Sequence, residues 1–230
     1  MTQSTHPARL VDDLLLGGHA LSRTGLVTAF GHLSGRAGEN RVLITPPMAL
    51  GRLTPDSAWT ALDLDAHDLP RDVPKEAWIH VAVARRRPDV GGICRAQPPV
   101  ATALASAGVP ILPLHGQGAY LGPTVPVFDD ATLVRDEDRA VDLAQVLGDA
   151  PAVLMRGNGA VTVGSTVGEA VARMWVLEAS ARMNSIAAAA GRPTPISAAE
   201  QAAWQQVASE ILGRIWADLR DPGPTPPTTP

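Results

Sequence analysis

Residues 91–108 read GGICRAQPPVATALASAG. A short apolar run ends at Cys94, two prolines force a turn at Pro98-Pro99, and an alanine-rich stretch follows. Proline at the first helical position is tolerated, because its missing N–H would lack a helical partner there. The stretch therefore predicts strand, turn and helix. The turn after a strand is where α/β proteins place their ligands. This turn carries Arg95, a permanent cation, and Gln97, a neutral amide.

The alternation continues on both sides. Residues 8–25 predict a helix, with Leu10, Leu14 and Leu21 near helical spacing and Gly25 as its stop. LVTAFGHLSGR (26–36) reads as a glycine-punctuated loop. RVLIT (41–45) and TALDLD (60–65) have strand character. Pro74 suits the first turn of a helix that runs through EAWIHVAVARR and ends before Pro88. VPILPL (109–114) reads as a strand, and HGQGAYLGP (115–123) as a loop. EDRAVDLAQVLG (137–148) is a helix with acids in its first turn and glycine at its end. AVLMR and AVTVG are short strands joined by a turn at 157–159. Thr166-x-x-Glu169 and Ser197-x-x-Glu200 predict capping boxes. The first opens a helix to about Ala190, and the second opens one ending near Arg220. The expectation is one α/β domain over residues 1–220, followed by a proline-rich disordered tail at 221–230.

Bulk properties narrow the function classes. The chain has 230 residues, 18% charged, with a formal net charge of −4, which disfavours a nucleic-acid partner. No stretch approaches the run of about 20 apolar residues that a membrane helix needs, so no membrane partner is expected. The single cysteine, Cys94, excludes an intrachain disulfide and a cysteine-based metal cluster. With no leader pattern at the start, a cytoplasmic setting is expected.

Four blocks, taken in order, resemble the class II aldolase/adducin family. They are GLVTAFGHLSGR, PKEAWIHVAVARRRPDVGGI, RAQPPVATALASAG and LMRGNGAVTVGSTVGEAV. The resemblance implies a mixed central sheet flanked by helices, and rings of four subunits with active sites between neighbours. It also implies a divalent metal held by three histidines, which polarises a carbonyl and stabilises an enediolate. A glutamate at the position of Glu76 would act as acid/base.

The departures decide the functional expectation. The two positions of the family's His-x-His pair hold Arg95 and Gln97, and the third ligand position holds Asn158. Arginine offers no lone pair, and amide oxygens are poor zinc ligands. The expectation is therefore no metal and no cofactor. Arg95 would stand in for the cation, Glu76 would act as base, and His115 is the candidate second acid/base group. His32, Ser34, Lys75, Gln97, Tyr120 and Asn158 are the candidate substrate contacts. His80, one helical turn after Glu76, reads as a packing residue. Strand alternation should turn Cys94 away from Arg95.

The expected activity is metal-independent, lyase-type acid/base chemistry on a small anionic carbonyl or carboxylate compound. C–C cleavage or formation, decarboxylation and dehydration all require a stabilised carbanion or enolate. A non-catalytic binding or assembly protein on the same fold is the alternative, with a metal-dependent oxygenase a weaker one. A homotetramer follows from the resemblance alone.

Overall fold

A computed structural model of the chain describes residues 8–221. The expected disordered tail therefore falls, but for Asp221, outside the described residues. One seven-stranded sheet organises the molecule, in the order β3-β2-β1-β4-β7-β6-β5. Its strands are β1 (His32–Arg36), β2 (Arg41–Ile44), β3 (Thr60–Asp63), β4 (Gly92–Ala96), β5 (Val127–Phe128), β6 (Ala152–Met155) and β7 (Gly159–Gly164). Every pairing is antiparallel except β5 with β6, so the sheet is mixed. The helices are α1 (Ala8–Arg23), α2 (Trp78–Arg86), α3 (Pro99–Ser106), α4 (Glu137–Leu147), α5 (Val167–Ala190), α6 (Ala198–Gln205) and α7 (Ala208–Arg220).

Side chains alternate across each strand, so each sheet face carries its own apolar core. On one face Leu33, Cys94, Ala96 and Leu154 pack under α1, α3, α5 and α7. On the other, Ile44, Ile93, Val153 and Val161 pack under α2 and α4. β4 is central, between β1 and β7. Its alternation sends Ile93 and Arg95 to the α2 face, and Cys94 and Ala96 to the α5 face. Cys94 is fully buried there, and burial pushes its thiol up to about 12 against the opposing pull of Thr162 and Arg95.

Several expectations needed correction. HLSGR is a strand, not a loop. Gly35 sits in it because α1 and α5 press close: a Cβ there would lie 2.4 Å from Leu10 Cδ1. VPILPL forms no strand. Pro110 and Pro113 lack N–H donors, and Asn184 of α5 clasps the Leu112 backbone at both its N–H and its carbonyl. Thr166 caps α5 by accepting from the Glu169 N–H, but the Glu169 carboxylate turns to the Ser165 N–H and hydroxyl, so the box is incomplete. The Ser197 box is complete. Its helix breaks at Gln206-Val207 into α6 and α7.

The hairpin between β6 and β7 turns on two left-handed glycines, Gly157 (φ +71°) and Gly159 (φ +110°). A Cβ on Gly159 would also meet the Ala96 carbonyl at 2.2 Å. Gly159→Ala is expected to lower stability by at least about 2 kcal/mol, through strain plus displacement of β4. Urea denaturation measures this directly.

Candidate active site

The C-terminal half of β4, the start of β1, the turn before α2 and the β6–β7 hairpin meet on the α2 face of the sheet. Between them lies a cleft of about 480 Å³, whose wall includes His32, Lys75, Glu76, Arg95, Gln97 and Asn158. Six of the nine residues singled out from the sequence therefore converge. Each is placed by local structure. His32 and Arg95 stand opposite each other in the β1–β4 register. Glu76 sits in the turn ahead of α2, where the Ala77 N–H donates to the Pro74 carbonyl at 2.9 Å. Asn158 is held at the hairpin tip by its own N–H on the Met155 carbonyl.

The polar groups form one buried network. Arg95 is 2% exposed, and an arginine is buried this deeply only when its charge is paired. Its Nη2 lies 2.9 Å from Glu76 Oε2 and donates to Asn158 at both the side-chain oxygen (2.7 Å) and the carbonyl (3.1 Å). Asn158 Nδ2 donates to Glu76 Oε1 at 3.0 Å, and the Val134 N–H adds a longer bond at 3.4 Å. Glu76, Arg95 and Asn158 thus close a ring of contacts on themselves. Burial pushes the Glu76 carboxyl upward, but His32, Arg95 and Asn158 outweigh it and hold the group down at about 2.

A second branch runs inward from the cleft. His32 Nε2 lies 3.7 Å from Glu76 Oε2, too long for a hydrogen bond, and has no hydrogen-bond partner among the described residues. Its Nδ1 meets His80 Nε2 at 2.6 Å, and His80 Nδ1 meets Ser34 Oγ at 2.6 Å. Burial pushes both histidines down, His80 well below the ordinary range, with the Arg95 charge adding in the same sense. Both are therefore neutral at pH 7.

Three sequence candidates lie outside the cleft within one chain. Ser34 is one strand alternation deeper than His32 and is fully buried against His80. His115 and Tyr120 stand across the sheet. His115 bonds the Ser180 hydroxyl of α5 at 2.9 Å, and Tyr120 packs against Trp204 in the core on that face. The loop that carries them follows α3, which covers the α5 face, so it cannot deliver them to the α2 face. Sequence reasoning missed three features. His80 carries the inner branch. Arg135 lines the cleft and forms no ion pair among the described residues, as is true of Lys75. Phe30, Met48 and Leu133 give the cleft an exposed apolar rim. The i, i+4 spacing of Glu76 and His80, with the i, i+2 pair His32 and Ser34, was the available signal.

The fold and these blocks define a class, and comparison with known proteins confirms it. Residues 12–185 match the class II aldolase and adducin N-terminal domain, and the chain belongs to that family. Among its relatives, the 3,4-dihydroxyphthalate decarboxylase of Terrabacter sp. (strain DBF63) is 32% identical over 202 residues, covering 78% of this chain and 82% of that protein. The 3,4-dihydroxyphthalate decarboxylase of Arthrobacter keyseri is 31% identical over 174 residues, covering 69% and 70%. An L-fuculose-1-phosphate aldolase structure from Thermus thermophilus superposes with a TM-score of 0.70 at 29% identity, covering 78% of this chain and 94% of that one. The L-fuculose 1-phosphate aldolase of Glaciozyma antarctica PI12 shares the fold, with a TM-score of 0.78 at 21% identity over 95% and 92%.

The donor set does not fit the metal that the family fold implies. The three positions that the family resemblance assigns to metal ligands, Arg95, Gln97 and Asn158, carry a guanidinium and two amides, and the guanidinium charge is already matched by Glu76. Among the described residues, no three His, Cys, Asp or Glu side chains cluster where they would hold a metal ion.

Proposed function

We propose that this chain is a decarboxylating lyase that acts, without a metal at the family site, on a small hydroxylated aromatic or carbonyl-bearing carboxylate. One observation carries the reading. The cleft combines unpaired cations, Lys75 and Arg135, with an ionised buried base, Glu76, and an apolar rim. Cations at the mouth suit a carboxylate, and Phe30, Met48 and Leu133 suit a ring. Relatives that cover most of the chain and are named as decarboxylases support the choice among lyase reactions.

The chemistry follows from those groups. Glu76 accepts the proton of a substrate hydroxyl, which pushes electron density onto the ring carbon bearing the carboxylate. That carbon takes the proton back from Glu76. The C–CO₂ bond then breaks, its electron pair restores the ring, and CO₂ leaves. The net change exchanges a carboxylate for hydrogen, and the oxygen is neutral again after one proton from solvent. Arg95 and Asn158 hold Glu76 in place and spread its charge. Gln97, with its side chain uncommitted, is free to bond a substrate oxygen.

The experiment is CO₂ release and product chromatography with hydroxylated phthalates and benzoates. Turnover of at least one hydroxylated phthalate supports the reading, and none across the panel refutes it. Lys75→Ala with Arg135→Ala is expected to raise KM about 10-fold with little change in kcat, the loss of roughly one charge-assisted hydrogen bond. A substrate monoester should be less affected.

A non-catalytic binding role is the second reading. It is favoured by the closed Glu76–Arg95–Asn158 ring, in which Arg95 and Asn158 stand at positions that the family resemblance assigns to metal ligands. A homo-oligomer, tetrameric by family resemblance, and a cytoplasmic setting complete the proposal. Among the described residues no helix is long and apolar enough to cross a membrane.

A further inference from the structure

The inner branch of the cleft has a direction that hydrogen-bond accounting fixes. Each neutral imidazole has one donor nitrogen and one acceptor nitrogen. If His32 donated from Nδ1, His80 would accept at Nε2 and donate from Nδ1 to Ser34. The Ser34 hydroxyl hydrogen would then have no acceptor among the described residues, and the bare Nε2 lone pair of His32 would face the Glu76 carboxylate. The opposite direction gives every hydrogen an acceptor to face, and only the last contact is longer than a hydrogen bond. Ser34 Oγ–H donates to His80 Nδ1, His80 Nε2–H donates to His32 Nδ1, and His32 Nε2–H points at the Glu76 carboxylate, 3.7 Å away. All three side chains are at least nine-tenths buried, so water does not scramble the chain.

We propose that Ser34 and His80 are positioning residues that lock His32 as a neutral Nε2–H donor directed at Glu76, and so hold the base in its working orientation. The geometry explains why a fully buried histidine sits on α2 one turn beyond Glu76, where an apolar residue would pack. It also explains why His32 Nε2 has no hydrogen-bond partner among the described residues: its hydrogen is reserved for the carboxylate, and for a substrate oxygen entering between the two. The kinetic consequence rests on the decarboxylase reading, but the tautomers do not.

The test has two readouts. Nitrogen-15 imidazole spectra of the whole chain report each histidine's tautomer without any turnover. His32 and His80 are both expected as Nε2–H at neutral pH, and a wild-type His32 in the Nδ1–H form would overturn the proposal. His80→Leu is expected to release His32 into a tautomer mixture and to lower kcat about 100-fold, the lower end of what a positioned acid–base group contributes, with KM nearly unchanged. His80→Gln places an amide N–H near the former Nε2 and should recover most of kcat. A folded His80→Leu with wild-type kcat, or a His80→Gln no better than it, would contradict the assignment. Should His80→Leu fail to fold, Ser34→Ala serves instead: it removes one donor and no charge, and it should mix the tautomers of both histidines. Unchanged tautomers there would remove Ser34 from the chain and overturn the lock. Correct tautomers with no decarboxylation by any variant would refute the functional reading alone.

Discussion

Glu76→Gln is expected to unfold roughly 6–20 °C below the wild-type chain and to show no measurable turnover. Among the described residues Glu76 is the only carboxylate paired with Arg95, and Arg95 is among the largest fully buried side chains. Neutralising the acid leaves a guanidinium in the core with amide oxygens only. Removing one partner of a buried pair costs about 3–5 kcal/mol, and for a chain of this size each kcal/mol moves Tm by roughly 2–4 °C. The same pairing sets the pH dependence. The Glu76 carboxyl is held at about 2, below its unfolded value, so its ionisation stabilises the fold fully above the ordinary carboxylate range. That contribution fades as pH falls toward about 2. The Glu76→Gln chain should lack this acid-dependent part, so the stability gap between the two chains should narrow as pH is lowered from 6 to 3. Scanning calorimetry across that range, with CO₂ release at neutral pH, checks both halves.

The converse substitution separates charge from shape. Arg95→Met alone strands Glu76 in a half-closed site, and its carboxyl, left with Asn158, His32 and the long Val134 N–H bond but no paired cation, should cost a similar 3–5 kcal/mol. Combined with Glu76→Gln, most of that loss should return. The pair then becomes a methionine of comparable volume and an amide that can bond Asn158 at both ends. The double variant is expected within about 1–2 kcal/mol of wild type, a coupling of several kcal/mol between the two sites. It should remain inactive, because no base is left. Additive losses would mean that Arg95 and Glu76 are not an energetic unit and that the close contact is incidental.

How much of this was legible in the sequence depends on the element. The strand–turn–helix of residues 91–108 announced itself, because apolar run, paired prolines and alanine run have a single local solution. β6, β7 and their turn were equally plain. HLSGR was not, since Gly35 and the Gly31 before it look like loop punctuation until α1 and α5 are seen pressing on Gly35. VPILPL misled in the other direction. Its β-branched and apolar residues suggested a ladder that its prolines cannot make, and a side chain 72 residues away supplies the bonds instead. In the site, Glu76, Arg95, Gln97 and Asn158 were found from family resemblance, and the structure brings all four to one cleft. That Arg95 spends its charge on Glu76 was invisible, because β4 and the turn before α2 meet only in the folded sheet. His115 and Tyr120 failed for a related reason: a residue's loop does not say which face of the sheet the loop reaches. His80 was passed over because a lone histidine on a helix is usually packing. Arg135 belongs to an irregular segment with no period to place it.

The most direct test of the central claim is decarboxylase turnover of the whole chain on hydroxylated phthalates, before and after exhaustive chelation, with metal content measured by elemental analysis on the same samples. Expected are turnover that chelation leaves intact, less than about one tenth of a divalent ion per chain, and no stimulation by added zinc, manganese or iron. One metal per chain, with activity that disappears on chelation and returns with a divalent ion, would contradict it. Arg95 and Glu76 would then have to part to admit the ion.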